Sequence, residues 1–425
     1  MTPYFQLDRR RRLIQSLRFQ ALWMVVLAGF FPFVVSHFEH FLTAESSRNS
    51  AIASLIAALS ALLMFRRVTA FPGTRSFAYI LPVFTMTYGA VVALLFFARL
   101  SYSGSMLLIG FSGSLAFAFF MSLAIERRGT ARFYVVPGGS DELIRAAPRF
   151  EWVRLMKPEL PADHHATIVA DLRWDHDWAW ERMLAEAALK GHVVYHTKQL
   201  HESLTGRVKI EHLSENSFGS LVPNLAYRKF KRLVDLAGCL LALPVLAVLG
   251  IVIAVAIKLD SPGPVIFRQR RMGYRGKPFT VLKFRTMRDR DHSADPEAAL
   301  RDAMTQNEDD RITKVGRFLR RSRLDELPQF LNVLMGEMSL IGPRPEAMPL
   351  SAWYERELPF YVYRHIVRPG ITGWAQINQG HVAELEEVHE KLQYDFYYIK
   401  NFSAWLDIVI ALRTIGIVLF GFGWR

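Results

Sequence analysis

Apolar residues gather in this chain as long runs before they show any period. Four runs come first, at residues 22–38, 51–65, 78–100 and 105–125, and each reads as a membrane-spanning helix. The second covers only about 15 residues, short for a span of about 20, so flanking residues must extend it. Basic residues alternate around the runs: Arg9, Arg10, Arg11, Arg12 and Arg18 precede the first, and Arg48 stands alone in the first loop. Arg66, Arg67 and Arg75 fill the second loop, Arg99 the third, and Arg127, Arg128 and Arg132 follow the fourth. Cytoplasmic loops carry the excess of Lys and Arg, so the pattern predicts four spans with both ends on the cytoplasmic side. The polar start, MTPYFQLDRRRRL, does not read as a cleaved signal peptide.

From residue 131 the pattern changes to short strands and helices. Residues 133–136 read as a strand followed by a Gly138-Gly139 turn, 167–172 as a second strand, 178–190 as a helix and 192–196 as a third strand. The Gly-Gly turn lacks the G-x-G-x-x-G spacing and a suitably placed acid for dinucleotide binding, so a structural or regulatory role is expected for this α/β module. The histidines in and around it (His164, His165, His176, His192, His196, His201, His212) show no metal-ligand spacing.

Residues 236–257 form a fifth uncharged run, 22 residues long. Arg228, Lys229, Lys231 and Arg232 precede it, and Lys258, Arg268, Arg270, Arg271, Arg275 and Lys277 follow. Positive charge on both flanks conflicts with a simple crossing, and Pro244 removes a backbone hydrogen bond within the run. A helix that dips into one leaflet, bends and returns reconciles both facts; an ordinary kinked fifth span is the alternative. Beyond it, Ser261-Pro262-Gly263-Pro264 is a rigid turn, residues 265–270 and 279–282 have strand character, and 289–310 is a polar, acidic loop. Residues 383–400 look helical, and the apolar tail 406–422, with Asp407 and Arg413 as its charges, reads as an interfacial helix.

Candidate chemistry concentrates in RRSRLDELPQFLNVLMGEMSLIGPRPE, residues 320–346. Asp325 and Glu326 follow Arg317, Arg320, Arg321 and Arg323. Pro328 is tolerated only near a helix start, so a helix through 329–334 should begin at about Asp325 and place both carboxylates at its positive end. Adjacent helical residues point about 100° apart, so the two carboxylates should do different jobs, one toward a substrate and one toward a metal. Gly342-Pro343-Arg344-Pro345 then forms a stiff turn presenting one guanidinium.

Composition agrees with a membrane protein that has a basic soluble face: 51% hydrophobic residues and a net charge of +13. That charge suits anionic headgroups and phosphorylated substrates; its cations flank apolar runs, so nucleic acid is not the expected partner. A single cysteine, Cys239, lies inside an apolar run and excludes disulfides and cysteine-based metal sites.

Several motifs occur together and in order: Lys283-Phe284-Arg285-Thr286-Met287, Leu324-Asp325-Glu326-Leu327-Pro328-Gln329, Met338-Ser339-Leu340-Ile341-Gly342-Pro343-Arg344-Pro345, and Arg368-Pro369-Gly370-Ile371-Thr372-Gly373-Trp374-Ala375-Gln376. On these, residues 229–425 resemble the catalytic domain of the bacterial sugar transferases, monotopic phosphoglycosyl transferases that start glycan assembly on a polyprenyl phosphate carrier. Four spans plus a soluble module resemble the large subclass. The resemblance implies four transmembrane helices over 1–130, a Rossmann-like cytoplasmic module over 131–222, and a monotopic α/β catalytic domain over 223–425 with a re-entrant helix at 236–257. It places the protein in the bacterial inner membrane with its catalytic domain on the cytoplasmic face.

In that family the Asp of the dyad is the nucleophile and the Glu helps hold Mg2+, positions held here by Asp325 and Glu326. Lys283, Arg320 and Arg344 match basic residues near the nucleotide-sugar phosphates; Gln376 closes the fourth motif and is taken as substrate-binding, and Asp395 and Asp407 match acidic positions of the C-terminal segment. The implied reaction passes a hexose 1-phosphate from a UDP-hexose to polyprenyl phosphate, with release of UMP. Two departures are visible: Leu243-Pro244 stands where the family's re-entrant helix usually has Ser-Pro, and Gln379-Gly380-His381 stands where smaller members often carry Gly-Arg. A membrane scaffold with a degenerate transferase domain, or a lipid phosphatase, are the competing readings. Symmetric pairing being the commonest assembly, a homodimer is expected.

Overall fold

The computed structural model describes residues 16–32, 45–70, 76–126, 132–139, 141–148, 150–162, 166–210, 225–288, 311–379 and 385–420. Arg9–Arg12, Arg75, Arg127, Arg128, His164, His165, His212, the acidic loop 289–310, and Gly380-His381 lie outside the described residues. The chain divides into two compact units, Met1–Gly206 and Arg207–Arg425. Val208 is fully buried and its N–H donates to Gln393 O (3.0 Å), so the described residues 207–210 pack with the second unit.

The first unit opens with α1 (Leu17–Val25), continued by a π turn over Val26–Phe30. Then come α2 (Glu45–Val68), α3 (Ser76–Phe97) and α4 (Gly104–Glu126). The short second run is a helix of 24 residues because it recruits polar residues from Glu45 onward and Arg66 and Arg67 at its end. Small side chains on α2 (Ala53, Ala57, Ala58, Ala61) are buried, which lets neighbouring helices approach closely. Inside the bundle Tyr88 Oη lies 3.2 Å from both Ser54 Oγ and Ser114 Oγ, so buried polar groups on three helices satisfy one another.

The α/β module follows as β1 (Arg132–Val135), α5 (Glu142–Ala146), β2 (Glu151–Arg154), β3 (Thr167–Ala170), α6 (Trp178–Leu189), β4 (Val193–His196) and α7 (Thr197–Thr205). Its strands form one parallel sheet in the order β2-β1-β3-β4. Three of the four strands follow the sequence pattern. The edge strand β2, Glu-Trp-Val-Arg, does not, because four residues with charged ends give no readable alternation.

The second unit is built on α8 (Leu225–Asp260), one helix of 36 residues that runs through Pro244 without a break. After it come the antiparallel hairpin β5 (Ile266–Met272) and β6 (Pro278–Phe284), then α9 (Lys314–Arg321), α10 (Gln329–Met335), β7 (Ser339–Ile341) and α11 (Met348–Glu357). The chain ends with β8 (Gly370–Thr372), parallel to β7, then α12 (Trp374–Asn378), α13 (Leu385–Lys400) and α14 (Ala404–Phe420). The helix α8 lies along the hairpin. Cys239 packs with Phe279, Val281, Val333 and Met338, and farther on Ile253 and Ile257 pack with Phe284 and Leu319. From Cys239 to Ile253 a helix advances about 21 Å, and from Phe279 to Phe284 a strand advances about 17 Å, so helix and strand keep pace.

The opposite side of α8 is an exposed apolar stripe: Leu241, Val245, Val248, Val252, Val255 and Leu259, at helical spacing. Four described helices are long and apolar enough to cross a membrane: α2, residues of α3 and α4, and α8. The first expected span is described only as the shorter apolar segment Leu17–Phe30. This is a membrane protein with an α/β sheet region.

Candidate active site

Asp325 and Glu326 share one 3-10 turn, Leu324–Glu326, between α9 and α10. Arg323 before it takes a left-handed conformation (φ 55), which separates the turn from α9. The helix expected to begin at Asp325 begins at Gln329, with Pro328 as its N-cap residue; proline's fixed φ suits that entry.

The two neighbouring carboxylates have different surroundings. Glu326 is buried, and its Oε1 lies 2.6 Å from Arg344 Nη2 and 3.4 Å from Lys283 Nζ. Asp325 is half-buried, and its carboxylate has no hydrogen bond or ion pair among the described residues. Burial raises Asp325 above the ordinary carboxylate range and the Glu326 charge adds to this, against the pull of Lys283, Arg344 and Arg320. Burial acts the same way on Glu326, but Arg344 and Lys283 outweigh it and hold that carboxylate well below the usual range. Burial also pushes Lys283 down to about 8, with Glu326 opposing. One carboxylate is therefore locked as a counter-ion while its neighbour is left available.

The fold positions each partner. Lys283 sits on β6, which α10 grips through the fully buried Asn332: Leu282 N donates to Asn332 Oδ1 (3.0 Å) and Asn332 Nδ2 donates to Thr280 O (2.7 Å). Arg344 sits on a turn cross-bonded to β8, with Gly342 N donating to Thr372 O (2.8 Å) and Gly370 N to Pro343 O (2.9 Å). These backbones approach so closely that a Cβ on Gly342 would stand 2.4 Å from Arg368 O, and one on Gly370 would stand 2.1 Å from Gly342 N. Only glycine fits there, and this accounts for both glycine-containing motifs. Arg320, half-buried on α9, is close enough to pull Asp325 downward, and its side chain has no hydrogen bond or ion pair among the described residues.

Gln376, Asp395 and Asp407 make no contact with the dyad among the described residues. Gln376 Nε2 donates to Ile371 O (3.1 Å), and its buried Oε1 has no partner. Asp395 accepts from Arg364 Nη2 (2.7 Å) and Nε (3.1 Å), and Arg364 in turn donates to Arg344 O (2.9 Å). Asp395 thus lies behind the Arg344 turn as its support. Asp407 accepts from Lys231 Nζ (2.7 Å), Tyr227 Oη (2.5 Å) and Tyr398 Oη (2.9 Å), which ties α14 to α8 and α13.

Sequence reasoning did not single out Arg364, Glu346, Asn332 or Asp235. Glu346 is ion-paired to Lys391 and is 4.0 Å from Arg364. Asp235 accepts from Ser339 Oγ (2.7 Å) and Leu340 N (3.2 Å), holding β7 to α8. Their signal was a charged or amide residue inside an apolar stretch, which marks a buried partner only once that partner is known.

The sequence profile described as bacterial sugar transferase matches residues 226–421. A UDP-N-acetylgalactosamine-undecaprenyl-phosphate N-acetylgalactosaminephosphotransferase of Aeromonas hydrophila is 43% identical over 381 residues, covering 89% of this chain and 88% of that protein. The chain belongs to the bacterial sugar transferase family. Similarity to this transferase family also extends to a UDP-glucose:undecaprenyl-phosphate glucose-1-phosphate transferase of Escherichia coli strain K12, 47% identical over 190 residues, 44% of this chain and 40% of that protein. A Caulobacter vibrioides protein of the same description is 43% identical over 199 residues, 46% of this chain and 72% of that protein. The chain is an enzyme, a phosphoglycosyl transferase.

No three His, Cys, Asp or Glu residues gather into a metal-binding group among the described residues. The transferase does offer oxygen donors: the Asp325 carboxylate is uncommitted, and both Glu326 contacts fall on Oε1. Such a set fits Mg2+, which commonly takes one or two carboxylates and completes its shell with substrate phosphates and water.

Proposed function

We propose that this transferase passes a hexose 1-phosphate from a UDP-hexose to undecaprenyl phosphate, with Asp325 as nucleophile. The observation that carries this reading is the asymmetry of the dyad, with Glu326 locked by Arg344 and Lys283 and Asp325 uncommitted beside them. An Asp325 oxygen attacks the sugar-side phosphorus, a P–O bond forms, and the diphosphate bridge breaks with its electron pair leaving on UMP. An oxygen of the polyprenyl phosphate then attacks the phosphosugar-aspartate, forms the lipid diphosphate sugar and releases the carboxylate. Division into two steps suits a water-soluble donor and a lipid acceptor that need not occupy the site together. Mg2+ held by Glu326 would neutralise phosphate charge; Lys283, Arg320 and Arg344 act in the same sense on the donor diphosphate. Asp395 and Gln376 support the Arg344 turn and β8 behind the substrate.

The full-length relative names UDP-N-acetylgalactosamine and the shorter matches name UDP-glucose, so the donor panel begins with these two. The product starts an exopolysaccharide, capsule or O-antigen type of glycan. Both flanks of α8 lie on the cytoplasmic face of the inner membrane in this reading. Its support is that both ends of the helix bond into one unit: Arg232 to Val333 O (2.6 Å) at the start, and Arg285 to Ser261 O and Pro262 O (2.7 Å each) just past the end. A homodimer is assigned on the prevalence of symmetric pairs alone. UMP release with each UDP-sugar, together with transfer of labelled sugar phosphate into a lipid extract, tests the function. Release of inorganic phosphate from the lipid with no UMP would replace it with a phosphatase.

A further inference from the structure

Three arginines from three segments meet at Tyr274, away from the dyad, and a fourth, Arg232, is close enough to one of them to repel it. Arg228 and Arg232 lie one turn apart on α8, Arg275 sits in the β5–β6 turn, and Arg368 precedes β8. Arg228 Nη1 donates to Tyr274 Oη (3.1 Å), and the Arg368 guanidinium lies 5.2 Å from the Tyr274 ring centre. The Arg275 guanidinium lies 5.1 Å from the same ring, on a left-handed residue of φ 56. Arg232 and Arg368 also cap carbonyls at the C-terminus of α10, Arg232 to Val333 O and Leu334 O and Arg368 to Gly336 O. That accounts for those two, but not for Arg228 and Arg275.

Among the described residues no carboxylate pairs with any of the four. Asp235, whose charge Arg368 feels, has its two oxygens committed to Ser339 and Leu340. Burial, with the repulsion of Arg232 and Arg228, lowers Arg368 below the ordinary arginine range. Like charges gathered without a counter-ion among the described residues fit an anion that comes from outside the fold. Guanidinium groups bind phosphate with parallel hydrogen bonds. The location indicates the source: Phe230, Leu233 and Val234 on α8 are exposed next to Arg228 and Arg232, and the uncharged run of α8 begins immediately after them. The cluster also lies at the end of α10 opposite the dyad, roughly 10 Å along a helix of seven residues.

We propose that Arg228, Arg275 and Arg368, arranged on Tyr274, together with the neighbouring Arg232, bind the phosphate of an anionic membrane lipid and seat the N-terminal flank of α8 at the headgroup layer. Thermal unfolding of the full-length protein in neutral detergent tests this, with phosphatidylglycerol, phosphatidylcholine or inorganic phosphate added at equal concentration. Phosphatidylglycerol is expected to raise the wild-type Tm by about 3 °C, and the other two not to. The double variant Arg228→Gln/Arg275→Gln loses more than half of the shift. Arg270→Gln, which removes an exposed charge elsewhere on the hairpin, retains it. If the double variant does not fold, Arg275→Gln alone, at an exposed position, should lose part of the shift. An unchanged shift in the arginine variants overturns the proposal, as does an equal shift with phosphatidylcholine or with inorganic phosphate. Transfer chemistry does not enter this readout, so its outcome is separate from that of the proposed function.

Discussion

Glu326 and Arg344, 18 residues apart in sequence, meet at 2.6 Å, and this pairing decides which member of the dyad is free. The Pro-Arg-Pro turn and the dyad are thereby one device: the guanidinium proposed to face phosphate also fixes the acid beside the proposed nucleophile. Its backbone is held from behind by Arg364, itself paired to Asp395.

Asp325→Asn abolishes sugar-phosphate transfer and the exchange of labelled UMP into UDP-sugar. The same variant should be more stable than wild type at neutral pH in the absence of divalent cations. The folded-state pKa of Asp325 is raised, chiefly by burial, so its charged form weakens the fold once the pH rises above that pKa. The gain shrinks as the pH falls toward the ordinary carboxylate range near about 4. Equal Tm values for variant and wild type at pH 7.5 would count against the buried charge, and persistent UMP exchange against the nucleophile.

Glu326→Gln leaves Arg344 and Lys283 buried without their counter-ion and costs about 3 kcal/mol of stability, with turnover reduced about 100-fold or more. The folded-state pKa of Glu326 is depressed, so its stabilisation is full above the unfolded value of about 4.3 and fades as the pH falls below it. Urea unfolding at pH 7 and again at pH 3.5 measures this; the deficit should be smaller at the lower pH.

Arg364→Gln and Asp395→Asn each break a buried pair and should cost about 3 kcal/mol. The double variant should cost clearly less than the sum of the two. Because Arg364 supports Arg344 through its carbonyl, kcat should fall more than KM rises in any folded single variant. Additive stability losses in the cycle would dissolve the pair.

Phe230→Cys and Pro262→Cys, each in a Cys239→Ser background, place labels on the two flanks of α8. Both should be inaccessible to a membrane-impermeant maleimide in intact cells and reactive after permeabilisation. Labelling at position 262 in intact cells means a true crossing.

A fragment beginning at Arg207 keeps the whole second compact unit and every candidate catalytic group. It should release UMP in detergent or lipid at a rate within about tenfold of the full chain. A folded fragment without UMP release assigns the first unit a part in catalysis.

The apolar runs, three strands of the α/β module, the hairpin and the dyad were legible in the sequence, because each is written in local pattern or in adjacent residues. The helix at 329–335 was legible from Pro328, but not its later start, since the left-handed Arg323 answers to packing. Lys283, Arg320 and Arg344 could be named as cations, yet not which of them Glu326 would take. That pairing depends on a strand, a helix and a turn brought together by Asn332, Gly342 and Gly370. Asp395 and Asp407 were candidates through the family resemblance, as acidic positions of the C-terminal segment, and only the tertiary structure showed their partners, Arg364 and Lys231. Sequence determines which groups a chain carries and where it must be apolar. The choice of partner for a buried charge is made across the fold, where desolvation makes an unpaired ion too costly to keep without a ligand.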